Sequence, residues 1–121
     1  MKPKTLGFKG ETLAAQYLQS KGYEILENNF TRRGGEIDLV AKKSGLFIFV
    51  EVKTRTGEQF GTGEESLNHT KKLHLKRAIA RWLAEKNKTE DADYRVDMVS
   101  VMLNARTHAL GNIEHLEDIE I

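Results

Sequence analysis

The chain has 121 residues, with 19 Lys and Arg against 18 Asp and Glu, a net charge of +1 and no cysteine. This length suits a single domain, 1–121, with one core, and the lack of cysteine excludes disulfides, thiolate catalysis and cysteine-based zinc sites. No apolar run reaches the roughly 20 residues of a membrane helix, and the basic start leads into no signal-peptide segment, so we expect a cytoplasmic protein.

Hydrophobic periodicity predicts two helices and five strands in the order α-β-β-β-α-β-β. In chain order, the predicted elements are a helix over 7–21, strands over 23–30, 36–42 and 46–54, a helix over 70–87, and strands over 94–103 and 112–120. Residues 56–66 are rich in glycine and predict a loop. This order is typical of an α/β or α+β sandwich, with a helix packed on each face of a mixed sheet.

The second helix has the clearest helical pattern and is strongly basic. Its apolar stripe consists of Leu75, Ile79, Trp82 and Leu83. From His69 to Lys88 the chain carries seven Lys or Arg against one acid, Glu85. Such a segment indicates either a nucleic-acid contact or an ordinary solvated helix face.

Acidic residues interrupt two predicted strands where a buried strand should be apolar. Strand side chains alternate between faces, so Glu36 and Asp38 lie on the same face of the second strand. For the same reason, Glu51 and Lys53 lie on the same face of the third strand. Carboxylate oxygens on adjacent strands favour a hard cation such as Mg²⁺ or Mn²⁺, and the carbonyl of Val52 would be a further ligand. Glu36 would be another ligand or would orient one, and Lys53 would position the attacking water or neutralise charge in the transition state.

Three further groups need an interpretation. Glu11 lies beside the apolar face of the first helix, so it either reaches the same site or is a first-turn carboxylate favoured by the helix dipole. Asp97 sits in an apolar strand and is interpreted as a structural partner. The four histidines have no metal-ligand spacing, so surface or interface roles are expected for them; they are His69, His74, His108 and His115.

Taken together, these motifs resemble the YraN family of small, largely uncharacterised bacterial proteins. The matching residues are Gly10-Glu11, Ala14, Tyr17-Leu18, Gly22-Tyr23, Ile25-Leu26, Asn29-Phe30, Arg33 to Ala41, Phe49 to Arg55, Lys71, Arg95-Val96-Asp97 and Ile113-Glu114-His115. That family in turn resembles the PD-(D/E)XK nucleases, which have the restriction-endonuclease-like fold, and especially the archaeal Holliday-junction resolvases. In such enzymes a helix Glu, a hairpin Asp and an E-x-K strand form a Mg²⁺ site.

The resemblance implies a catalytic set on this chain. Glu11 matches the helix Glu, Asp38 the hairpin Asp, and Glu51 and Lys53 the E-x-K strand. The one departure is Ile37, which stands where the nominal motif has Pro. The implied function is a Mg²⁺-dependent endonuclease or resolvase that hydrolyses DNA, with branched or damaged DNA as the substrate by analogy.

Two other functions stay open at this stage. One is a nucleic-acid-binding module of the same fold without turnover. The other is a partner-binding protein that uses its exposed final strand, an edge that would also suit a homodimer. Phosphate contacts on DNA are expected from Arg32, Arg33, Arg55, Lys71, Lys72 and Lys76.

Overall fold

A computed structural model describes residues 3–57, 67–88 and 92–121. Its elements follow the predicted order α-β-β-β-α-β-β. The helices are α1 (Pro3–Ser20) and α2 (His69–Glu85), and the strands are β1 (Glu24–Arg32), β2 (Gly35–Lys43), β3 (Leu46–Thr56), β4 (Tyr94–Leu103) and β5 (Leu110–Leu116).

The five strands form one mixed sheet in which spatial order follows chain order. The pairs β1–β2, β2–β3 and β4–β5 are antiparallel, whereas β3 and β4 run parallel. A parallel pair needs a crossover connection, and α2 lies in that connection. The predicted mixed sheet is therefore confirmed.

Each helix covers one face of the sheet. Ala14 and Leu18 of α1 pack in one buried cluster with Ile48 and Val50 of β3. The alternate β3 residues, Phe47 and Phe49, face the other way, into a cluster with α2. The α2 residues in that cluster are Leu75, Ala78, Ile79, Trp82 and Leu83. The prediction of a helix on each face is confirmed, and so is the apolar stripe of the second helix.

Strand β4 has the predicted bounds, and the largest differences elsewhere are at the start of α1 and the end of β5. Helix α1 begins at Pro3 rather than at residue 7, because proline is well tolerated in the first turn of a helix. Strand β5 spans Leu110–Leu116 rather than 112–120. The chain leaves the strand because the amide of Asp118 bonds to the Asp97 carboxylate and that of Ile119 bonds to the carbonyl of Val96. Most of the predicted loop over 56–66 lies outside the described residues.

A buried charged cluster holds β4, β5 and the C-terminal segment together. Asp97 is fully buried and accepts two hydrogen bonds from Arg95, of 2.8 and 2.9 Å. His115 Nε2 lies 2.8 Å from Asp97 Oδ2, and Arg95 also donates to the hydroxyl of Tyr23. Asp97 is thus a structural partner, as interpreted from the sequence. The surface role expected for His115 is wrong, because only 9% of its side chain is exposed.

No helix among the described residues is long and apolar enough to cross a membrane.

Candidate metal centre

The candidate site lies where β2 and β3 part. Their backbone pairing ends at Leu39 and Val50, although both strands continue beyond that pair. Asp38, which precedes Leu39 in β2, bridges the gap with its side chain. Its Oδ2 accepts a hydrogen bond of 2.8 Å from the amide of Val52. A carboxylate therefore takes the amide hydrogen bond that a backbone carbonyl would accept in a continuous sheet.

A glycine brings Glu11 close to this gap. At Gly10 of α1, an added Cβ would overlap the side chain of Thr54 on β3, so the helix approaches the strand more closely than any other residue would allow. Glu11 follows directly in the chain. Burial raises the pKa of Glu11 to about 7, with the charge of Asp38 as a second cause, while a hydrogen bond with the Asn29 side chain opposes the rise. Glu11 is therefore an electrostatic neighbour of Asp38.

Asp38 and Glu51 form a closely coupled pair. Burial raises the pKa of Asp38 to about 6, and it raises that of Glu51 to about 8 with the charge of Asp38 as the next cause. The two carboxyl groups lie close enough for each to affect the pKa of the other. At neutral pH the pair thus holds a proton that two solvated carboxyls would have lost.

The neighbouring charges act on this pair in opposite directions. Glu36 raises the pKa of both Asp38 and Glu51, whereas Lys71 at the start of α2 lowers both. Lys71, which the sequence indicates only as a phosphate contact, is therefore also the cation that most stabilises the two carboxylates.

The residues of this cluster fit a hard divalent cation. Their donors are carboxylate oxygens, and their ionised forms repel one another in a partly buried place, which a bound cation would relieve. In addition, Oε1 of Glu11 is buried with no hydrogen-bond partner in the described part of the protein. Within residues 3–57, 67–88 and 92–121, no three His, Asp or Glu side chains already stand as a ready ligand set. A cation would take the place of the proton that burial makes Asp38 and Glu51 retain at neutral pH.

Lys53 lies two residues beyond Glu51 and, by alternation, on the same face of β3. It is half-buried, and its register partner on β4 is Ser100. The hydroxyl of Ser100 is a second buried polar atom for which the described residues provide no partner. At Val52, the amide is committed to Asp38, and the ligand role of its carbonyl stays a prediction.

A cleft of about 340 Å³ adjoins the cluster on the α2 side. We call it the basic cleft; its lining includes Glu36 and Glu51 together with Arg32, Lys71 and His74. At Gly35, which also lines it, β2 and α2 approach so closely that a Cβ would overlap the carbonyl of His74. This cleft places positive side chains beside the acidic cluster.

Two of the six residues predicted to contact phosphate line the basic cleft, Arg32 and Lys71. Arg32 is held by Glu85 through hydrogen bonds of 2.7 and 2.9 Å. Its guanidinium also stacks on Phe30, with 4.1 Å between Cζ and the ring centroid. Of the other four, Arg33 is exposed in the β1–β2 turn and Arg55 is half-buried on β3. On α2, Lys72 is half-buried and Lys76 is exposed.

Sequence reasoning did not assign a role to Asn29. Its side chain lowers the pKa of Glu11, against the effect of burial, and its backbone adopts a left-handed conformation with φ of 53°. The signal that could have found it is the Asn28-Asn29 pair inside a strand, since asparagine is depleted in strands and tolerates left-handed backbone.

Comparisons with known sequences place the chain among proteins of similar length. The model of the uncharacterised protein family UPF0102 matches residues 10–101, a range that contains every predicted site residue. A UPF0102 protein of Caldicellulosiruptor saccharolyticus is 40% identical over 91% of this chain and 92% of its own length. The corresponding values are 42%, 93% and 89% for a protein of Geobacter metallireducens, and 40%, 95% and 94% for one of Pelotomaculum thermopropionicum. Each of these relatives carries only the family name.

Proposed function

The chain belongs to the uncharacterised protein family UPF0102, and we propose that it is a Mg²⁺-dependent endonuclease that hydrolyses DNA phosphodiesters. The observation that supports this proposal is that burial raises the pKa of three carboxyl groups near the point where β2 and β3 part, namely Glu11, Asp38 and Glu51, and that the charge of Asp38 raises the pKa of the other two further. A structural ion cluster would pair such charges with cations, as Asp97 is paired. Perturbed acids next to a cleft are instead typical of catalytic sites.

The cation would be held by the carboxylates of Asp38 and Glu51, with Glu11 and the carbonyl of Val52 as further ligands. Such a cation, Mg²⁺ or Mn²⁺, lowers the pKa of a bound water and stabilises charge on a phosphoryl oxygen. Glu36 raises the negative charge around the ligands and strengthens their hold on a divalent ion. Lys53 donates hydrogen bonds to the attacking water or to the phosphate oxygen on which charge develops.

The basic cleft supplies the phosphate contacts in this proposal. Lys71 lies beside the acids, and Arg33, Lys72 and Lys76 extend the positive surface along α2 and the β1–β2 turn. These contacts are to the DNA backbone, so they give salt-dependent affinity with little sequence preference. Junctions and damaged sites, the substrates implied by the resemblance, are recognised by shape.

The test is cleavage of a substrate panel in Mg²⁺ or Mn²⁺, with branched, nicked, linear duplex and single-stranded DNA. We expect the wild-type protein to cut and Lys53→Ala to lose turnover while it still binds DNA. Lys42→Ala is the matched control, because Lys42 lies on β2 at the end of the β2–β3 pair that is away from the acidic cluster. Equal background cleavage by wild type and Lys53→Ala contradicts the proposal. DNA binding without cutting would establish the alternative, a binding module without turnover.

A homodimer through the open edge of β5 is part of the same proposal, since cutting both strands of a branched DNA requires two sites. Light scattering over a range of protein concentrations tests it, and a monomer at every concentration contradicts it.

A further inference from the structure

A second cleft, of about 310 Å³, opens on the α1 side of the acidic cluster. We call it the amide cleft, because α1 and β1 line it with the side-chain amides of Gln16, Gln19, Asn28 and Asn29. One aromatic ring, Phe8, also lines it and is 51% exposed. Glu11 is the one charged residue among its described lining residues.

The two clefts differ in the ligand chemistry that they favour. The basic cleft is lined by Glu36 and Glu51 and by the cations Lys71 and Arg32, the latter held by Glu85, so it offers a phosphate the positive charge that the amide cleft lacks. In the amide cleft, a phosphate would meet no cation among the described lining residues and would be repelled by Glu11. A neutral planar ring with mixed donors and acceptors suits it better, because each amide offers both a donor and an acceptor and Phe8 offers a stacking surface.

The acidic cluster connects these two clefts. Glu51 lines the basic cleft, Glu11 lines the amide cleft, and Asp38 interacts with both acids. A ligand with an anionic group in one cleft and a neutral ring in the other would therefore cross the proposed metal centre. A nucleotide has both groups, next to each other.

We propose that the amide cleft binds one unpaired nucleobase, stacked on Phe8 and hydrogen-bonded by Asn28 and Gln16, from the nucleotide next to the cleaved phosphate. The inference rests on the proposed nuclease function and makes its substrate more specific. A base inside a duplex is stacked and paired, so it cannot enter the cleft. The site therefore selects DNA with an unpaired nucleotide at the cleavage point, such as a bulge, flap or junction.

The experiment compares two duplexes that differ only at one bulged nucleotide, which carries adenine in one and is abasic in the other. Binding is measured by fluorescence anisotropy in EDTA, so that no cleavage occurs. Because stacking of one base on an aromatic side chain is commonly worth ~1–3 kcal/mol, we expect the wild type to prefer the adenine bulge by about tenfold.

Three variants separate stacking from general damage. Phe8→Ala should bind the adenine and abasic bulges equally, whereas Phe8→Trp should keep the preference. Leu26→Ala is the matched control, since Leu26 is 39% exposed and lines a different cleft. It should keep the preference.

The failures of the two proposals look different. Equal wild-type affinity for the adenine and abasic bulges overturns the nucleobase site. If the same protein cleaves the substrate panel in Mg²⁺, the proposed nuclease function still holds. A retained preference in Phe8→Ala also overturns the site. A clear preference for the adenine bulge without cleavage in Mg²⁺ or Mn²⁺ supports the nucleobase site and contradicts the proposed nuclease function.

Discussion

Gly10 of α1 and Thr54 of β3 are in contact across a space that has no room for a Cβ. Glycine inside a helix is unfavourable by about 1 kcal/mol relative to alanine, so this position is kept at a cost to the helix. The next residue in the chain is Glu11, and the close approach of α1 to β3 places its carboxyl group near that of Asp38. Close packing of helix and strand therefore belongs to the site as much as to the core.

The first prediction concerns this contact. Gly10→Ala should lower the free energy of unfolding by about 1–3 kcal/mol because the methyl group overlaps Thr54. Gly7→Ala is the matched control on the same helix, since a Cβ there meets nothing within 4 Å, and it should be neutral or stabilising. Urea unfolding measures both. The double variant with Thr54→Ala should recover part of the loss, and additive losses would contradict the explanation.

The second prediction concerns pH and the Asp38–Glu51 pair. The pKa of each acid is higher in the folded protein than in the unfolded chain, about 6 for Asp38 and about 8 for Glu51. The folded state thus binds more protons between roughly pH 4 and pH 8, and the contribution of the pair to stability falls as pH rises through that window. Glu51→Gln should therefore stabilise the metal-free protein by roughly 1–2 kcal/mol at about pH 8.

Thermal unfolding in EDTA checks this prediction at two pH values. At about pH 5 the wild-type Glu51 is already protonated, so the gain from Glu51→Gln should disappear. Glu114→Gln, an exposed position on β5, should show no gain at either pH. A stabilisation that is the same at both pH values would mean that the charge of Glu51 is not its cause.

The third prediction concerns metal binding. A divalent cation would take the place of the proton held by Asp38 and Glu51, so Mn²⁺ binding should release about one proton near neutral pH and tighten as pH rises. Isothermal titration calorimetry in buffers of different ionisation enthalpy measures the released protons. Glu51→Gln should bind Mn²⁺ much more weakly and release fewer protons. Binding of equal strength in the variant would exclude Glu51 as a ligand.

The fourth prediction concerns the buried cluster around Asp97. Burial alone would raise the pKa of Asp97, but hydrogen bonds from His115, Arg95 and the Asp118 amide outweigh it and hold that pKa below its ordinary value. Removal of the carboxylate leaves these donors buried without their acceptor, so Asp97→Ala should cost about 3–5 kcal/mol in urea unfolding.

Asp93→Ala is the control for this cluster, because Asp93 is exposed just before β4. It should change stability by less than about 0.5 kcal/mol. Since the pKa of Asp97 is depressed in the folded state, its contribution is present above the unfolded pKa and is lost as pH falls through the folded pKa. The difference between wild type and Asp97→Ala should therefore shrink in acid, and a constant difference would contradict the role of its charge.

The fifth prediction concerns Lys71. If it contacts a DNA phosphate, Lys71→Ala should weaken binding for all sequences and reduce the salt slope of log K by about 1. Because Lys71 lowers the pKa of Glu51, its loss should also move the pH midpoint of Mn²⁺ binding upward. Lys88→Ala, a lysine beyond the other end of α2, should change neither. An unchanged midpoint would contradict the electrostatic link to Glu51.

The layout of the fold follows from local patterns in the sequence. Strand β4 lies at the predicted residues because its alternation and β-branched content are strong, and the stripe of α2 is buried as its spacing requires. The end of β5 could not be predicted, since it depends on tertiary hydrogen bonds from Asp118 and Ile119 to residues of β4. Local propensity carries no information about such partners.

The acids of the candidate site stand out in the sequence because each one violates an apolar pattern. Glu11 breaks a helix face, and Asp38 and Glu51 break strands. The effect of Asn29 on Glu11 and that of Lys71 on Asp38 and Glu51 were not found, since each joins residues that are far apart in the chain. The pairing of Arg32 with Glu85 likewise joins residues far apart in the chain.

The hydrogen bond between Asp38 and the amide of Val52 also gives the protein an intrinsic spectroscopic probe. An amide proton that bonds to a carboxylate changes its NMR resonance position when the carboxylate gains or loses a proton or accepts a metal. The Val52 resonance would therefore follow the occupancy of the centre in a ¹⁵N-labelled sample, with no added dye or substrate.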